Sequence, residues 1–170
     1  MRTPSPRVRQ QRGAAVVEFA LLLPVLMLLL YGLATFGAAL YAQMAISRAA
    51  EDGARAAGFT QAKTVATIPS SLNDPTAQTL GSIQAQVIES LANSAVVPGA
   101  SYAARRTWLL ANVLPQIKVD GGSCGGVSST TMLRVSVSVP FSGIRIIPNP
   151  TGYSSWTPTA LTGCAILQLS

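Results

Sequence analysis

GAAVVEFALLLPVLMLLLYGLATFGAALYAQMAIS, Gly13 to Ser47, decides how the rest of the chain is read, because Glu18 is its only charge. As a helix rising about 1.5 Å per residue the run is roughly 50 Å long, well over the ~30 Å apolar core of a bilayer. Such a helix crosses a membrane and still extends beyond it. The flank before it carries Arg2, Arg7, Arg9 and Arg12 with no acid, and the next charge after Glu18 is Arg48. An arginine-rich flank stays on the cytoplasmic side, so the remainder is exported. The uncharged stretch from Phe19 to Ser47 is also about twice as long as the apolar core of a cleavable secretory signal, roughly 7–15 residues, which favours a retained anchor. Pro24 lies inside the run and predicts a modest kink.

The formal charge of the 170-residue chain is +6, but four of its twelve basic residues lie in the first twelve positions. Without residues 1–13 the balance is eight basic to six acidic, which gives no basic face for nucleic acid. The chain has no histidine, so a serine–histidine–acid triad and histidine zinc sites are excluded. Asp120, Glu89 and Asp52 remain as carboxylates, and nothing in their spacing pairs them for acid–base work. No cofactor, enzymatic activity or small-molecule substrate is expected. The two cysteines, Cys124 and Cys164, both fall in the exported part, where an oxidising compartment lets them pair; two free buried thiols are the alternative. Closing a loop of about 40 residues stabilises a domain by roughly 4 kcal/mol in the chain-entropy model.

Residues 1–12, with two prolines and four arginines, read as a disordered leader. Along the helix, Ala34, Ala38, Ala42, Ala45 and Ala49 recur at steps of three and four, a small-residue stripe where another helix backbone can approach closely. Plain alanine richness accounts for it as well. The helix continues through SRAAEDGARAA and stops near Gly58. Residues 59–73 read as loop. Asp74 and Pro75 predict the start of a second helix, with Leu80, Ile83, Val87 and Leu91 on one side and Gln84, Gln86 and Glu89 facing water or the flanks, up to Val97-Pro98-Gly99. Residues 101–114 predict a short third helix capped by Ser101, with Arg105 and Arg106 as a solvated basic turn beside a half-buried Trp108.

Ile117 and Val119 alternate with Lys118 and Asp120 ahead of GGSCGG, Gly121–Gly126, a glycine-rich turn that matches no nucleotide-binding pattern. The clearest strand is LRVSVSV, Leu133–Val139, with Leu133, Val135, Val137 and Val139 on one face. AILQL, Ala165–Leu169, is its expected partner, across a connection holding Pro140, Pro148, Pro150 and Pro158. The pieces make an α+β protein: a long N-terminal transmembrane helix, then a small exported domain of helix on antiparallel sheet. Its expected divisions are a leader at 1–13, the membrane and assembly helix at 14–58, and the exported domain at 59–170.

Glu18 lies about 7 Å along the helix from Gly13, inside the apolar run, where a lone carboxylate is costly and needs a cation or access to the interface. Snorkelling to headgroups or pairing with Arg12 is one answer. A basic leader, a glycine, four small or apolar residues and then Glu18-Phe19 resembles the processing site of Flp-type pilins of the Tad system. RGAAVVEFALLLPVLMLLLYG and the later AISRAAEDGARAA resemble the opening of the TadE-like family, over roughly residues 12 to 58. The resemblance implies a pilin-like fold and cutting by a prepilin peptidase between Gly13 and Ala14, leaving Glu18 fifth in the mature chain. It also implies a minor pilin or pseudopilin held in the inner membrane, its N-terminus cytoplasmic and its domain periplasmic, partnered by other Tad pilus subunits and assembly proteins and carried in some cases into an extracellular pilus. An uncleaved anchored protein whose outer domain binds a partner is the other reading.

If the two cysteines are paired, a maleimide reagent applied to the unfolded, non-reduced chain leaves both unmodified, and labels both after reduction; labelling before reduction refutes the bridge.

Overall fold

The computed structural model describes residues 12–59, 63–68, 82–141, 144 and 159–169. The leader before Arg12, the Asp74-Pro75 helix start, Leu80 and the connection carrying Pro148, Pro150 and Pro158 lie outside them. Helix α1 is Arg12–Gly58, α2 is Ile83–Asn93 and α3 is Tyr102–Asn112; strands β1, β2 and β3 are Lys118–Gly121, Met132–Pro140 and Ala160–Gln168. The chain divides into two units, Met1–Gly37 and Ala38–Ser170.

In the first unit α1 continues unbroken through Pro24, and its large apolar side chains are exposed, among them Leu22, Leu28 and Leu33. Thr35, a polar residue in this run, satisfies its hydroxyl within the helix by donating to the carbonyls of Tyr31 and Gly32.

The second unit is a helical layer on a sheet of order β1-β2-β3, antiparallel throughout. The period-two pattern of β2 is realised: Leu133, Val135, Val137 and Val139 are buried while Arg134, Ser136 and Ser138 lie on the other face. Its partner is longer than Ala165–Leu169, pairing from Met132 with Gln168 to Pro140 with Ala160. Pro140 therefore ends the strand instead of belonging to the connection, which suits a residue with no N–H to give a ladder. Ser82 and Ser101 cap α2 and α3, accepting from the amides of Ala85 and Ala104.

The second helix departs from its sequence reading. Ser82 has extended backbone and caps a helix that begins at Ile83, and that helix ends at Asn93 rather than near Pro98. Gln84 is buried rather than facing water, because α2 is covered on two sides, by α1 and by α3. Residues 59–73 are not all loop either: Val65–Thr67 form a 3-10 turn, tied to the loop before β2 by the Val65 amide donating to Thr130 O.

The C-terminal part of α1 is a core helix. Ala42, Ile46, Ala49, Ala50, Ala54 and Ala57 are buried with Ile83, Val87, Leu91, Leu133, Val135 and Val137 in one cluster. Of the small-residue stripe, Ala42 and Ala49 meet the chain's own domain, while Ala34 is exposed and Ala38 and Ala45 are half-buried. Small side chains are needed because the backbones nearly touch. A Cβ on Gly163 of β3 would stand 2.7 Å from Ile46 O, and one on Gly53 of α1 would stand 2.5 Å from Val87 Cγ2. Gln43 Nε2 donates to Thr162 O at 2.8 Å, and Ser90 Oγ donates to Asp52 Oδ2 at 2.7 Å, so α1 is tied by hydrogen bonds to β3 and to α2.

Gly163→Ala forces α1 off β3 and is expected to destabilise the protein by about 1–3 kcal/mol in thermal or denaturant unfolding, while Gly32→Ala, with open space around it, is not destabilising.

Candidate functional site

The first candidate is the head of α1. The helix starts at Arg12, so the Gly13–Ala14 bond lies in the first turn, whose amides have no partners within the helix and which carries no acidic side chain. Glu18 and Phe19 are in the following turn and both are exposed, Phe19 at 61 %. α1 holds a window of mean hydropathy 2.4 with none of it buried, long and apolar enough to cross a membrane. Gly13, Ala14, Glu18 and Phe19 are thus brought together by one helix, with Glu18 the single ionisable group among apolar side chains.

The second is the outer face of the sheet. Asp120 on β1 is directly opposite Arg134 on β2, and the guanidinium holds both carboxylate oxygens, Nε to Oδ1 and Nη2 to Oδ2, each at 2.6 Å. Arg134 Nη1 also donates to Ser123 O, drawing in the loop after β1. From that loop Cys124 reaches over the central strand to Cys164 on β3, their Cα atoms 6.0 Å apart in a disulfide. Cys164 is opposite Ser136, so the bridge lies on the solvent face, and neither cysteine is a buried thiol. The glycine-rich stretch is therefore a turn pinned to the sheet by a bidentate ion pair and a covalent bond.

The third is the pairing of α2 with α3. Arg106 Nε meets Glu89 Oε1 at 3.3 Å, and Tyr102 donates its hydroxyl to Glu89 Oε2. The neighbouring carboxylate raises the Tyr102 hydroxyl above its ordinary range, since a phenolate there would lose the bond and face a like charge. Arg105 donates from Nη1 to Ser94 O, and Trp108 packs half-buried on the core. These arginines hold helix ends together. Asp52, Glu89 and Asp120 each have a different partner, and among the described residues no three His, Cys, Asp or Glu side chains group as metal ligands.

Reading residues singly missed the Asp120–Arg134 pair, although the alternation of the two strands carried the signal: both are outward positions of neighbouring strands. The match of Glu89 with Arg106 had no such signal, because it depends on how α2 crosses α3.

Fold and site define a class, a long apolar N-terminal helix followed by a small α+β domain. Within it, residues 13–55 match the family model described as TadE-like protein. The match covers about a quarter of the chain, the apolar helix from its glycine head to Arg55, and α2, α3 and the whole sheet lie beyond it. No curated protein and no solved structure gives a match.

Arg134 holds the Asp120 carboxyl below the ordinary carboxylate range, chiefly through its hydrogen bonds. A lowered folded-state value stabilises the protein above the unfolded pKa of about 3.9 and is lost as pH falls through the folded value. Asp120→Asn is accordingly expected to lower the unfolding midpoint at neutral pH, with the gap to wild type closing in acid; a gap that stays constant with pH means the ion pair is not its source.

Proposed function

We propose that this protein is a minor pilin or pseudopilin of a Tad (Flp) pilus, anchored in the bacterial inner membrane and processed by a prepilin peptidase after Gly13. The observation that carries the reading is the head of α1: a glycine followed five residues later by Glu18, the only charge between Gly13 and Ser47, on a segment that matches the TadE-like model. The basic flank before Gly13 keeps the uncut end on the cytoplasmic face, and the domain beyond Gly58 lies in the periplasm. A disulfide at Cys124–Cys164 suits that oxidising compartment.

The chemistry of assembly follows from the charge. Cutting at Gly13 creates a cationic amine on Ala14, four residues from Glu18. In a bilayer both charges are costly alone, and a second subunit's amine offers the Glu18 carboxylate a partner. Two helices out of register leave both unpaired, so the pair acts as an alignment signal. The partners are the peptidase, other pilus subunits and the inner-membrane assembly proteins. The role is structural, in building or priming a pilus for adherence or secretion, with no cofactor.

Intact-mass analysis of the protein from cells with and without a functional prepilin peptidase tests this. The expected result is loss of residues 1–13 only when the peptidase is present. Glu18→Ala is expected to be cleaved and inserted but to assemble poorly. A full-length chain in both strains removes the pilin reading and leaves an uncleaved anchored protein whose domain binds a partner.

A further inference from the structure

On α1 the face opposite the buried Ala42, Ile46, Ala49 and Gly53 changes character within one turn. Leu40, Tyr41 and Met44 are exposed and apolar, Met44 at 71 %, while Arg48, Glu51 and Arg55 are exposed and charged. Beside this change lies an open groove of about 670 Å³, walled by α1 from Tyr41 to Glu51 and by the end of α2 at Ser90, Asn93 and Ser94. Its apolar end is Tyr41 and Met44 and its polar end is Arg48. Glu51 is paired with Arg55, Asn93 and Ser94 bond to carbonyls of their own helix, and Ser90 is held by Asp52. Arg48 makes no ion pair or hydrogen bond among the described residues, so its guanidinium is available to an external anion.

We infer that this groove is a seat for phospholipid, with the bilayer surface passing between Met44 and Arg48: an acyl chain lies along Met44 and Tyr41, and the headgroup phosphate is held by Arg48. The occupant follows from continuity. The exposed apolar residues prolong the charge-free run that begins at Phe19, and that run ends at Arg48. An aromatic ring with a polar tip followed by a cation one to two turns later is the order in which side chains meet the interface. A guanidinium takes a phosphate through two parallel hydrogen bonds. Since Ala42 and Ile46 are already packed in the core at this level of α1, the domain begins inside the headgroup layer and does not stand clear of it.

The inference rests on the membrane-anchored reading, and one experiment separates them. The full chain, carrying a benzophenone amino acid in place of Leu26, Met44 or Arg55, is reconstituted in vesicles of phosphatidylethanolamine with a minor fraction of phosphatidylglycerol, irradiated and analysed by mass. Probes at Leu26 and Met44 are expected to capture phospholipid, and the probe at Arg55 none. The Met44 adducts are expected to be enriched in phosphatidylglycerol over the bulk, and Arg48→Gln to reduce that enrichment about fivefold. Lipid at Leu26 but only a second polypeptide, or nothing, at Met44 overturns the seat and leaves the anchor. An absence of lipid at Leu26 overturns the anchor itself, and an enrichment unchanged by Arg48→Gln overturns the role of Arg48.

Discussion

The close contact of α1 with the sheet is the constraint on which the domain depends. Backbones come together only where side chains are absent or minimal, which is why Gly163 of β3 sits under Ile46 O and Gly53 of α1 lies beside Val87 of α2. Around those points Ala42, Ala49, Ala50, Ala54 and Ala57 form a shallow surface on which β2 presents Leu133, Val135 and Val137. Most of the large apolar side chains of the core come from the sheet, α2, α3 and the segments beside them, and α1 adds Ile46 and otherwise small residues. A well-packed interior tolerates little added volume at such a contact.

The exposed side chains of α1 change character along its length. From Phe19 to Met44 the large exposed ones are apolar, and Arg48, Glu51 and Arg55 after them are charged. The small residues that suit packing between membrane helices also suit packing on a sheet, since both need backbones to approach. That shared requirement explains why a stripe read along the sequence as a helix–helix surface turns out, at Ala42 and Ala49, to be the inner wall of a domain.

The outer face of the sheet is organised differently, by charge and covalent linkage. With the helices covering one side, Arg134, Asp120 and the Cys124–Cys164 bridge fasten the loop after β1 across the other. A three-stranded sheet of this size is held by covering one face, and its loop is fixed by ties whose partners are near neighbours in register.

The amino-acid sequence by itself determined the elements whose signals are local and strong. The apolar run of α1 and its end at Gly58, the Ser101 cap of α3 and the alternation of β2 each rest on a periodicity or on one turn of backbone, and the Gly13–Glu18 spacing is legible for the same reason. The tertiary structure alone decided what depends on non-local approach. Ser82 heads α2 as it packs in the core, and Gln84 is inside because α1 and α3 both cover that helix. Which alanines face the sheet and which carboxylate meets which arginine follow from how elements cross. Crossing is set by the summed fit of many side chains, which no single stretch of sequence contains.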